Sequence, residues 1–321
     1  MDFWALTDLC TPWCIHVVAT LRIAHHLSAG PTAIDPLAAA AHADPAALCR
    51  VLRHLVSKGI FEEPSPGQFA ANDAAREMAA SGAGFDLEGI GGRMAHAWGT
   101  LLSAVRTGRP AYHEYFGRPF WEDLDAHPDV AASFDALMGP AGHGTPDPEI
   151  LLDPSEWPSI RTVVDVGGGT GSLLAEVLRS RPHVHGTLVD LPRTIARSRE
   201  TFEAAGVGDR VTLSAQSFFD PLPAGKDVYT LKNVLGDWPD AEAKALLQRC
   251  AEASRPGGRI VLLGGVSPEQ TASPELLMLV LVGGKNRTVA EFRTLAAAAG
   301  LQVHAIGRQP SGRFVVDCRP A

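Results

Sequence analysis

The stretch Thr162-Val163-Val164-Asp165-Val166-Gly167-Gly168-Gly169-Thr170-Gly171 decides how this chain folds. Its first five residues are mostly β-branched and apolar, the composition of a strand buried on both faces. The glycines then bend the backbone into a helical pattern from Ser172 to Arg179. The next apolar strand, Gly186 to Asp190, ends on an acid 19 residues after Gly171. Glycines at a strand-to-helix turn let backbone approach a ligand closely, and an acid ending the second strand accepts both hydroxyls of a ribose. The turn departs from the dinucleotide fingerprint, because Asp165 sits just ahead of it. An anion there opposes a pyrophosphate and suits a cationic or amino-bearing ligand, which favours S-adenosylmethionine (SAM) over NAD.

The same alternation continues towards the C-terminus. Helix Arg193 to Ala205 is expected next, then strands Val211 to Leu213 and Val228 to Leu231, helix Ala241 to Ala253 and strand Arg259 to Leu263. Helix Val289 to Ala299 and terminal strands near Leu301 to Ile306 and Arg313 to Val316 complete the series. Strands alternating with helices predict an α/β domain with a mostly parallel, doubly wound, Rossmann-like sheet over residues 151–321.

Working back from the Pro-rich stretch Pro146 to Pro158, the pattern is different. An amphipathic helix is expected from Pro12 to Leu27, then Ile34 to His42, a helix from Pro45 to Lys58 capped by Asp44, and strands Ile60 to Glu63 and Gln68 to Ala70 around a Pro-Gly turn. Helix, turn, helix and hairpin is the order of a winged helix, assigned to residues 1–100. Up to residue 110 there are eight Lys/Arg against ten Asp/Glu, the wrong sign for a DNA-binding module, so packing or dimerisation is the expected role. Residues 101–150 read as a helical, aromatic-rich connector and substrate lid.

Composition narrows the function classes. With 321 residues, 45% apolar and 20% charged, the chain can bury a sizeable core, and its net charge of −8 would repel a nucleic-acid backbone. The longest apolar run, Leu276 to Val282, is far short of the roughly 20 residues of a membrane-spanning helix. Neither nucleic acid nor membrane is expected as a partner, and the default compartment is the cytoplasm. Cys10, Cys14, Cys49, Cys250 and Cys318 form no CxxC pair and read as small buried hydrophobes. His183 and His185 share a strand face with no third ligand in sight, so no metal is expected.

Six motifs in order carry a resemblance: Asp165 to Gly171, Val189-Asp190-Leu191-Pro192, Phe218-Phe219-Asp220, Leu231 to Trp238, Arg255-Pro256-Gly257-Gly258 and Gly283 to Thr288. Together they resemble the SAM-dependent O-methyltransferases of plant phenolics and bacterial natural products, over essentially the whole chain. The resemblance implies an N-terminal winged-helix dimerisation domain and an interlocked homodimer whose N-terminal helices wall the partner's substrate pocket. It implies a site for SAM, or its product S-adenosylhomocysteine, at Asp165, Gly167, Gly169, Asp190 and Leu191, with Phe218 and Trp238 near the adenine and Lys232 nearby. Ser217 stands where the family carries an acid that takes a hydrogen bond from the adenine amine, and its hydroxyl can still accept that bond.

The departures bear on mechanism. Where the family reads His-Asp-Trp, with His as general base, this chain reads Gly236-Asp237-Trp238, and Gly264-Gly265 replaces the acid that orients that His. His96, His113 and His143, in the connector, are the candidate replacement bases; Trp98, Tyr112, Met278 and Asn286 are candidate substrate contacts. The expected activity is methyl transfer to O, C or N of a small aromatic or polyketide-like natural product, driven by proximity and desolvation. The alternative is a methyltransferase-like enzyme that keeps SAM for a decarboxylation, hydroxylation or pericyclic step.

Overall fold

Apolar strands such as Val163-Val164 and Ile260-Val261-Leu262 form the buried centre of a seven-stranded sheet. In the computed structural model, which describes residues 3–269 and 274–321, its strands are β1 (Thr162–Val166), β2 (His185–Asp190), β3 (Val211–Ala215), β4 (Val228–Lys232), β5 (Arg259–Leu263), β6 (Leu301–Arg308) and β7 (Phe314–Pro320). They lie in the order β3-β2-β1-β4-β5-β7-β6. β1 to β5 are parallel, and β7 runs antiparallel to both β5 and β6. Two apolar clusters sandwich the sheet, one with Leu246, Leu247 and Phe292 and the other with Leu173, Leu178 and Phe202. The expected doubly wound α/β sheet is therefore present. Strand order reverses between β1 and β4, and ligands of such sheets bind beyond the carboxyl ends of the strands at that switch.

The chain divides into two compact units: residues up to His96 with His127–Leu137, and Ala97–Ala126 with Met138–Ala321. The aromatic-rich connector is thus split, Leu101–Ala126 belonging with the sheet and His127–Leu137 with the N-terminal unit. The N-terminal unit has its own core, built around Val18, Leu37, Leu52, Leu55 and Phe69. Helix Pro45–Ser57 begins as expected, with Asp44 Oδ1 accepting the Ala47 N–H at 2.8 Å and Pro45 in the first turn. The hairpin strands are Glu62–Ser65 and Gln68–Ala70, and Thr32–Ala33 adds a short third strand against Gln68–Phe69.

The single helix expected from Pro12 to Leu27 is two, Cys10–Thr20 and Ile23–His26, because Arg22 adopts a left-handed backbone (φ 52°) that ends the first. Cys14, Cys250 and Cys318 are buried hydrophobes as expected, whereas Cys49 is half-buried and Cys10 is exposed on the first turn of its helix. Phe3, Trp4, Leu6, Leu9 and Trp13 leave an apolar run exposed on the N-terminal unit. No helix among the described residues is long and apolar enough to cross a membrane.

Candidate active site

The glycine turn is pinned from two sides. Gly167 N–H donates to Val189 O at 2.8 Å, and Gly169 N–H donates to Asp190 Oδ2 at 2.8 Å. Asp190 Oδ1 accepts the Leu191 N–H at 2.7 Å, so this carboxylate joins the turn to the end of β2. Gly169 has φ +63°, which favours glycine, and a Cβ built there meets nothing within 4 Å, so the backbone borders open space.

Beneath the turn lies the Asp165 carboxyl, 1% exposed. Oδ1 accepts the Thr230 hydroxyl at 3.0 Å; Oδ2 is buried with no hydrogen-bond partner. Burial pushes its pKa up to about 6, while the Thr230 bond and the Lys232 ammonium pull it down and Asp190 adds to the rise. A Cβ on Gly168 would stand 2.5 Å from Oδ2, so the turn covers the acid only as glycine. A buried carboxylate with a spare oxygen suits a cationic or amino-bearing ligand.

Aromatic rings close the other side. The Phe218 ring lies against Gly167, whose added Cβ would be 3.3 Å from it. Phe218 and Phe219 both meet Trp238 edge-on, at 5.8 and 4.9 Å between centroids, and Trp121 stacks on Trp238 at 6.2 Å. Ser217 Oγ accepts the Phe219 N–H at 3.2 Å, which orients the pair. The structure therefore gathers Asp165, Gly167, Gly169, Asp190, Leu191, Ser217, Phe218, Lys232 and Trp238 at the carboxyl ends of β1 to β4, where the strand order reverses. An adenosine bearing a positive charge fits these groups: a ribose-gripping carboxylate, aromatic faces and a buried anion.

Beside them is the segment 233–238. Gly236 has an ordinary backbone, and a Cβ there would sit 3.5 Å from both Asn286 Oδ1 and Gly265 Cα, in ordinary contact. Gly264 and Gly265 differ, with φ of +106° and +76°. A Cβ on Gly264 would lie 2.3 Å from Asn233 Oδ1, and one on Gly265 2.9 Å from the Gly236 N. Here the end of β5 is a bend that only glycine enters without strain.

Two groups here escaped sequence reading. Arg287, 1% exposed, donates from Nε to Asp240 Oδ1 at 2.9 Å, from Nη1 to the carbonyls of Leu235 and Lys285 at 3.1 and 3.2 Å, and from Nη2 to the Trp238 carbonyl at 2.8 Å. This guanidinium clamps the loop that carries Gly236, Asp237 and Trp238. The Asp237 carboxyl is pushed up to about 7 by burial. Either residue could be quoted from its motif; neither role has a local sequence signal.

The remaining predicted residues lie as follows. Asn286 is beside Gly236, its Nδ2 donating to Glu275 Oε1 at 2.8 Å. Met278 is half-buried on helix Leu276–Leu281, against which the Trp98 turn and helix Leu101–Thr107 pack; Trp98 itself is exposed. Tyr112 is buried, stacked on Phe116 at 4.4 Å, and its hydroxyl donates to Asp123 Oδ2 at 2.7 Å, the setting of a core residue. His113 and His143 are exposed. His96 belongs to the N-terminal unit, against Trp13 at 5.0 Å.

Residues 98–302 match the O-methyltransferase domain, and residues 4–81 the O-methyltransferase dimerisation domain, which supports a homodimer. The chain is 39% identical to a 2,7-dihydroxy-5-methyl-1-naphthoate 7-O-methyltransferase of Streptomyces carzinostaticus, over 94% of this chain and 92% of that protein. It is also 39% identical to the aclacinomycin 10-hydroxylase RdmB of Streptomyces purpurascens, over 92% of this chain and 82% of that one. Among solved structures, the O-methyltransferase NcsB1 of neocarzinostatin biosynthesis, in complex with SAM and 2-hydroxy-5-methyl naphthoic acid, superposes with a TM-score of 0.90 at 37% identity, covering 100% of this chain and 99% of that one. With the glycine turn, the Asp190 carboxylate beside it and the aromatic wall in place, these matches make the chain a member of the SAM-dependent O-methyltransferase family.

Proposed function

We propose that the chain transfers a methyl group from SAM to an acceptor on a small aromatic or polyketide-like natural product, a hydroxyl being the first candidate, without a His general base. The observation that carries this reading is the single cluster formed by the Asp190 carboxylate, the buried Asp165 carboxyl and the Phe218–Trp238 rings beside Gly236. The bound donor supplies a sulfonium-activated methyl group. Asp190, at the end of β2 beside the glycine turn, holds the ribose hydroxyls, Phe218 and Trp238 flank the adenine, and Asp165 favours the cationic end. Arg287 fixes the 235–240 loop, so that Gly236 and Asn286 border the acceptor without intruding on it.

Orientation explains how the reaction proceeds without the usual dyad. General-base catalysis contributes about 10²- to 10⁴-fold, while holding two reactants aligned contributes on the order of 7 to 11 kcal/mol. The residue following Gly236, Asp237, has a carboxyl raised to about 7 by burial, which makes it the first candidate to take up the acceptor's proton. His96, His113 and His143 are not needed in this scheme. The enzyme works as a homodimer in the bacterial cytoplasm, where a charged donor that does not cross a bilayer unaided is made.

The test is incubation of the protein with SAM and a panel of hydroxylated naphthoates and related phenols. Stoichiometric S-adenosylhomocysteine with methylated product is the expected result. Product formed without loss of SAM would instead support the non-methylating reading, which a 39% identical relative named as a hydroxylase brings into view.

A further inference from the structure

Far from the methylation site in sequence, three donor groups of the N-terminal unit converge. Cys10 and Cys14 are four residues apart on helix Cys10–Thr20 and so share one face. Their sulfurs are 3.8 Å apart. His54 lies in the last turn of helix Pro45–Ser57, which packs against the first helix. One ring nitrogen of His54 and both sulfurs all lie within 4.8 Å of one another. We infer that Cys10, Cys14 and His54 form a binding site for a thiophilic divalent cation of the zinc type.

The metric argument is direct. In a tetrahedral site with zinc–sulfur bonds of about 2.3 Å, two sulfurs stand about 3.8 Å apart, and Cys10 and Cys14 already have that spacing. A disulfide requires sulfurs about 2.05 Å apart. The imidazole is also held ready. Thr11 Oγ1 donates its only proton to Asp8 Oδ2 at 2.6 Å, so its 2.8 Å contact with His54 Nε2 makes Nε2–H the donor. A carboxylate–hydroxyl–imidazole chain thus holds the ring from outside the cluster, in the way that second partners orient metal ligands.

Asp8 is itself anchored, accepting the Cys10 and Thr11 N–H groups at 2.9 and 3.1 Å and pairing with Lys58 Nζ at 3.0 Å. Two thiolates, a neutral imidazole and a dication sum to zero charge, and the Asp8–Lys58 pair adds none. In the single chain Cys10 is exposed and Cys14 buried, and three protein ligands leave a fourth position for water. Binding would tie the first helix to helix Pro45–Ser57, stabilising the N-terminal unit.

The test uses the full-length chain, reduced and stripped with a chelator, then titrated with Zn²⁺ against a chromophoric competitor and separately with Co²⁺. One equivalent per chain is expected, with a thiolate-to-cobalt charge-transfer band, the d–d bands of a tetrahedral ion and a higher unfolding temperature when zinc is bound. Cys10→Ser, at an exposed position, should keep the fold by circular dichroism, weaken zinc binding at least about tenfold, diminish the charge-transfer band and lose the thermal shift. Cys49→Ser, outside the cluster, should leave all of these unchanged. A reduced wild-type protein that takes up no stoichiometric metal overturns the proposal, as does Cys10→Ser binding like wild type or Cys49→Ser losing the metal.

Discussion

Replacing Asp190 tests the cofactor assignment most sharply. Its oxygens accept the Gly169 and Leu191 N–H groups, and the proposed cofactor mode has the same carboxylate accept both ribose hydroxyls. Hydrogen bonds to a charged group contribute about 1.5 to 3 kcal/mol each, so Asp190→Ala should lose about 3 to 6 kcal/mol of binding. That is a rise in Kd of about 10²- to 10⁴-fold for SAM and for S-adenosylhomocysteine alike, since the ribose is common to both. Asp190→Asn keeps one acceptor oxygen and should fall between. Isothermal titration calorimetry measures both affinities, and a thermal unfolding curve of the unliganded variant separates lost binding from a loosened glycine turn. A folded Asp190→Ala protein whose Kd for either ligand stays within about threefold of wild type, less than 1 kcal/mol, would refute the assignment.

Four further outcomes follow from the same site. In wild type, kcat should climb as pH rises through about 7, as the Asp237 carboxyl loses its proton; Asp237→Asn should abolish that inflection and slow turnover by about 10²-fold or more, and an inflection that persists rules the residue out as proton acceptor. Because the folded carboxyl titrates near 7 against an ordinary 3.8, stability should be greatest at or below about pH 4 from this group and decline up to about pH 7, a decline missing in Asp237→Asn by urea unfolding. Gly236→Ala, whose Cβ meets only ordinary contacts, should fold within about 1 kcal/mol of wild type, whereas Gly264→Ala, at φ +106°, should cost about 1 to 3 kcal/mol by chemical denaturation; equal costs would contradict the reading of the β5 bend. Arg287→Met strips donors from three carbonyls and from Asp240 and should destabilise by about 3 to 5 kcal/mol, with unfolding midpoints unchanged from wild type counting against the clamp.

Much of the sheet unit was legible because buried parallel strands are near-continuous apolar runs and glycine turns are explicit. Strands β1 and β5 fall at their expected limits, and the cofactor residues named from the turn outward come together at the switch point. What stayed hidden depends on partners distant in sequence or on unmarked backbone states. Arg22 breaks the first helix with a left-handed conformation that arginine does not advertise. Strand Thr32–Ala33 is too short to show a period, and Arg287 acquires its role only when it meets carbonyls about fifty residues earlier. Cys10 and His54 share no motif, since two helices must pack before they become neighbours.

The left-handed bend at Gly264-Gly265 has a bearing on substrate choice. Because an acidic side chain enters there only under strain, a histidine introduced at 236 would find no carboxylate on β5 to steer it, so a single substitution cannot rebuild the dyad. The nucleophile must then bring much of its own readiness. Across a set of equally shaped phenols, reactivity should follow the ease with which each gives up its hydrogen, making acidity as much a criterion of selection as contour.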